Sequence, residues 1–106
     1  EEFVKGFVRY HYESLYTKRM KEIEEKIKSK QSDIESNGKR TDRNNKSIAD
    51  NNKDGGAEKN KAKNDKMLRE NETYAEDSAT KRREITDLEG ELNKLSESLK
   101  KVKEFN

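Results

Sequence analysis

The chain has 106 residues, of which 26% are hydrophobic and 45% charged, and its 25 basic and 23 acidic side chains leave a net charge of +2. So little apolar material excludes a compact multilayer core, though it can line a narrow seam between helices. The near balance of charge excludes the concentrated basic surface of a typical nucleic-acid binder, and the absence of cysteine excludes disulfides, thiol catalysis and thiolate metal sites.

Proline is absent and strong helix formers dominate, so long helices are expected throughout. The first, residues 1–36, opens with an aromatic stretch, FVKGFVRYHYESLY. Phe3, Phe7, Tyr10, Tyr12 and Tyr16 there surround Val4, Val8 and Leu15, too many apolar positions for a two-position seam. They read as a thickened cap on a coil, or as an exposed binding patch, since Tyr and Phe carry binding energy well. Attachment to a membrane surface is a third reading, with Lys5, Arg9 and Lys18 as its basic residues. A heptad seam then runs through Tyr16, Met20, Ile23, Ile27 and Ile34, with Met20, Ile27 and Ile34 at a and Tyr16 and Ile23 at d. Lys30 fills the remaining d position.

Residues 37–66 form a polar segment rich in Asn, Lys and Gly, with 9 basic and 5 acidic side chains. The first register continues into it with Thr41 and Ile48 at a, but Asn37, Asn44 and Asn51 occupy d. The Gly55-Gly56 pair follows, and two glycines cost a helix interior about 2 kcal/mol.

Residues 67–106 hold the stronger seam. Ile85, Leu92 and Leu99 take a, and Leu88, Leu95 and Val102 take d. Running the register backwards places Lys81, Tyr74 and Met67 at d, and Ser78, Asn71 and Asn64 at a. The two registers differ in phase by two residues, and the slip falls between Ala49 and Asn64. The expected fold is therefore all-α: a long, parallel, two-stranded coiled coil with a weakened polar middle. An antiparallel helical hairpin turning near residues 54–57 is the alternative.

Motifs for catalysis are missing. His11 is the single histidine and has no ligand-spaced companions, and there is no phosphate-cradling glycine loop. No enzyme activity, cofactor or metal is expected. No apolar run is long enough to span a membrane, and the chain starts without Met, as a mature or excised piece would.

The run Asn64-Asp65-Lys66-Met67-Leu68-Arg69-Glu70, then Tyr74, Asp77 and Ala79, and finally Leu88-Glu89-Gly90-Glu91, resembles the variable N-terminal part of streptococcal M and M-like surface proteins. The chain departs from that pattern at Leu92 and by one extra residue between Lys66 and Leu68. The resemblance implies a parallel homodimeric coil, secreted and anchored to a cell wall. It implies a virulence role in which the coil captures a host plasma protein (C4b-binding protein, fibrinogen or immunoglobulin) or an antimicrobial peptide for immune evasion. Tyr74 would be the apolar anchor, with Arg69, Asp77 and Lys81 beside it. Neither nucleic acid nor membrane insertion is implied. An intracellular helical hairpin serving as an assembly or adaptor module is the competing reading.

Overall fold

The computed structural model describes residues 2–104. Residue 1 and residues 105–106, at the outer ends of the first and last predicted segments, lie outside the described residues. Helix α1 spans Glu2–Asn51 and α3 spans Lys61–Lys103. Between them lie a 3-10 turn, Lys53–Gly55, and the single-turn helix α2, Gly56–Lys59. No strand occurs among the described residues, so the chain is all-α.

The chain forms two compact units. Unit 2, Lys30–Arg83, contains the turn. There α1 and α3 run antiparallel. Asn37 donates from Nδ2 to Oγ of Ser78 at 3.1 Å, Asn44 to Oδ1 of Asn71 at 2.9 Å, and Asn51 to Oδ1 of Asn64 at 3.1 Å. Each of these pairs is centred between Ala57 and Glu58. The expected parallel rod is thus corrected to the hairpin, with its centre two residues beyond the Gly55-Gly56 peptide. The phase slip has a simple cause. In an antiparallel pair an a position faces a d position, so the two arms need not share one phase. The seam Asn residues at d in α1 meet Ser78, Asn71 and Asn64 at a in α3.

Each turn glycine has a separate reason. Gly55 adopts a left-handed conformation, φ 74° and ψ 17°, which only glycine reaches without penalty. Asp54 before it is also left-handed, φ 53° and ψ 40°, a region that Asp tolerates better than most residues. Gly56 has ordinary dihedrals, but a Cβ there would collide with the Asn51 carbonyl oxygen. Asn60 then closes the turn, donating from Nδ2 to the Asn51 and Gly56 carbonyls at 3.0 Å each. The first of these bonds satisfies a carbonyl that the end of α1 leaves without a helical partner.

Unit 1 joins the stretch up to Ser29 with the stretch from Glu84. Its seam is apolar. Ile23 is fully buried and Ile85 nearly so, and Tyr16, Met20, Ile27, Leu88, Leu92, Leu95 and Leu99 are half-buried beside them. Burying a Leu or Ile side chain stabilises by about 1.5–3 kcal/mol. At its edge Arg19 pairs with Glu91 at 2.8 Å.

Candidate docking surface

The residues that resemble the M-type run sit in unit 2, and three of the four proposed site residues engage α1. Asp77 accepts from Asn37 Nδ2 at 2.9 Å and from Lys81 Nζ at 2.9 Å. Lys81 also lies 3.6 Å from Asp33. Tyr74 is half-buried, with the Arg40 guanidinium 5.8 Å from its ring centroid. A cation over a ring at that distance attracts weakly. Arg69 is exposed, and its carbonyl accepts from Thr73 Oγ1 at 3.2 Å.

Charge in this network follows the hydrogen bonds. The Asn37 amide, and then Lys81, hold the Asp77 carboxyl below the ordinary carboxylate value. Asp77 in turn raises the Lys81 ammonium above its ordinary value. A groove of about 240 Å³ beside the network is lined by Ile34, Gly38, Thr41, Tyr74 and Ser78 among others. Among the described residues, every buried side-chain nitrogen and oxygen has a partner. The Asn layers were not legible as a pairing set from either arm alone. The available signal was arithmetic: Asn37 with Ser78, Asn44 with Asn71 and Asn51 with Asn64 share one midpoint.

The N-terminal aromatic stretch is different. Extending the α1 heptad backwards from Tyr16 places Glu13 and Gly6 at a, and Arg9 and Glu2 at d. The half-buried residues before Tyr16 are Lys5, Arg9 and Glu13. The apolar residues of this stretch are thus the more exposed ones. Phe3 is 85% exposed, Tyr10 70% and Phe7 68%. Val4, Val8, Tyr12 and Leu15 are exposed with them. Tyr12 comes closest to packing: it stacks on Tyr16 at 6.0 Å between centroids, and His11 meets it edge-on at 5.3 Å. Val8, Arg9 and Tyr12 of α1 and Lys101 and Val102 of α3 line a groove of about 260 Å³ with almost wholly apolar walls.

Among the described residues, no group of three or more His, Asp or Glu side chains converges as metal ligands would, and no helix is long and apolar enough to cross a membrane. Comparison with family models, with characterised proteins and with solved structures returns no match.

Proposed function

We propose that this chain is a non-enzymatic helical-hairpin assembly or adaptor module whose docking surface is the aromatic end of unit 1. One observation carries the reading: Phe3, Phe7 and Tyr10 near the start of α1 are each at least 68% exposed, with Val4 exposed beside them. Exposed apolar patches larger than a few hundred Å² mark interaction sites in soluble chains. The test is site-specific photo-crosslinking, with a benzophenone side chain placed at Phe7 or, as control, at exposed Lys46. Discrete covalent adducts in cells from Phe7 alone support the reading. Equal yields from both positions remove it.

A second reading rests on the resemblance of Asn64–Glu91 to M-type chains. It is a cell-wall surface protein that captures a plasma protein for immune evasion. In a hairpin, exposed Arg69 becomes the available contact of the four, because Tyr74, Asp77 and Lys81 engage α1. Pull-down from human plasma tests it. Recovery of specific proteins, reduced by Arg69→Ala, is expected; recovery no greater than that of a control coil removes it.

A further inference from the structure

We infer that Asn37 is a site of spontaneous deamidation that the closed hairpin protects, so that opening of unit 2 is written into the chain as an irreversible covalent change.

Asn37-Gly38 is the one Asn-Gly dipeptide in the chain. The reaction needs only these two residues and water. The Gly38 backbone nitrogen attacks Cγ of Asn37. A bond forms between that nitrogen and Cγ, and the bond from Cγ to Nδ2 breaks. The side-chain amide leaves as ammonia, taking the proton of the attacking nitrogen. Water then opens the succinimide ring at either carbonyl, giving aspartate or its isomer, in which the backbone runs through Cγ. A following glycine favours the attack, because it has no side chain to obstruct it and its backbone turns freely. Packing does not demand a glycine at 38. The residue lies in the interior of α1, where glycine is a poor helix former. A Cβ there would meet nothing within 4 Å, in contrast to Gly56.

The closed hairpin keeps the reactants apart. Asn37 is only 5% exposed. Its Nδ2 donates to Oδ2 of Asp77 at 2.9 Å and to Oγ of Ser78 at 3.1 Å. The Gly38 amide belongs to the α1 ladder, in which each N–H donates to the carbonyl four residues back. Attack therefore requires the layer to part and α1 to unwind locally. Segments with few buried apolar contacts open most readily, and this layer is a polar one.

The product does not fit the closed layer. Deamidation to aspartate replaces the Nδ2 donor by a carboxylate oxygen facing Asp77 Oδ2, and like charges that close repel. Lys81, the ammonium of this network, already serves Asp77 at 2.9 Å and Asp33 at 3.6 Å. Asp42 and Arg82 line the adjoining groove with opposite charges, and both are exposed to water. The isomer lengthens the backbone by one carbon and interrupts the ladder of α1. Either product holds the layer open, so the change is one-way.

The test compares the full chain at neutral pH, folded and in guanidinium chloride. Peptide mass spectrometry reads conversion at Asn37 and, in the same digest, at Asn44 and Asn51, the α1 seam residues followed by Asn instead of Gly. Asn37 is expected to convert at least about tenfold more slowly in the folded chain than in the unfolded one, and Ser78→Ala is expected to speed the folded reaction severalfold. Equal rates in the two states overturn the proposal. So does unfolded conversion at Asn37 no faster than at Asn44. Thermal melts test the product. Asn37→Asp is expected to melt below the natural chain at neutral pH and to recover when Asp77→Asn is added. An Asn37→Asp chain that melts with the natural one, or a loss that Asp77→Asn leaves in place, overturns the one-way character.

Discussion

Gly55 and Gly56 are adjacent and chemically identical, yet the fold uses them for different ends. Gly55 supplies a left-handed backbone, and Gly56 supplies space beside the Asn51 carbonyl. Gly56→Ala is expected to destabilise by about 1–3 kcal/mol, because the clash is with backbone and cannot be relieved by a rotamer. Asp54→Asn is expected to be nearly neutral, since Asn also tolerates the left-handed region. Thermal melts of both variants check the contrast. Asp77 offers a pH test at the same scale. Its carboxyl is held below its ordinary value, first by Asn37 and then by Lys81. An unfolded Asp ionises near pH 3.9, so the stabilisation is fully present above about pH 4 and is lost as pH falls through the lower folded value. Asp77→Asn is expected to flatten the acid limb of the melting temperature against pH, and an unchanged limb would contradict it. Asp77 and Lys81 stand four residues apart, one helical turn, so their pairing is local. Their third partner, Asn37, was not legible in the sequence, because it lies forty residues away on the other helix.

Helices α1 and α3 owe their existence to composition and their pairing to a seam that changes character along its length. In unit 1 the seam is aliphatic. In unit 2 it alternates Asn and Ser layers with a few apolar residues. A neutral hydrogen bond contributes about 1 kcal/mol net, less than a well-buried Leu. Replacing both amides of one layer, Asn44→Leu with Asn71→Leu, is therefore expected to raise stability by about 2 kcal/mol, read from the urea midpoint. Asn44→Leu alone is expected to gain less, because Asn71 loses one of its partners while keeping its bond to Asn45 at 3.0 Å. A single polar seam residue can fix register and partner choice at a cost in stability. Three polar layers, one heptad apart, fix where the arms of this hairpin meet. Both heptad seams were legible from the sequence, residue for residue. What each layer faced was not, since a heptad read along one arm says nothing of the direction of the other.

For the molecule as a whole, chain reversal makes every seam contact intramolecular. With Asn44→Cys and Asn71→Cys together, a bismaleimide linker is expected to join the two positions within one chain, at a yield that does not change on dilution. Links between identical positions of two chains would instead restore the parallel rod. Stability is expected to be uneven between the units. Amides near Ile23 and Ile85 in unit 1 should outlast those between Asn44 and Asn71 in hydrogen exchange, because apolar burial supports the first set and polar layers the second.

Composition and periodicity by themselves determined the helices, the two seams, the polar middle and the unusual aromatic start, because each is a local pattern of period 3.5 or 3.6. Only the tertiary structure decided direction. Two glycines and a phase slip fit a reversal or a loosened rod equally well in one dimension. The choice depends on whether Asn37, Asn44 and Asn51 meet Ser78, Asn71 and Asn64 of the same chain, and that is a relation between residues 13 to 41 positions apart. The same holds for Phe3, Phe7 and Tyr10. Their hydrophobicity was plain in the sequence, but their exposure is a property of the folded chain alone.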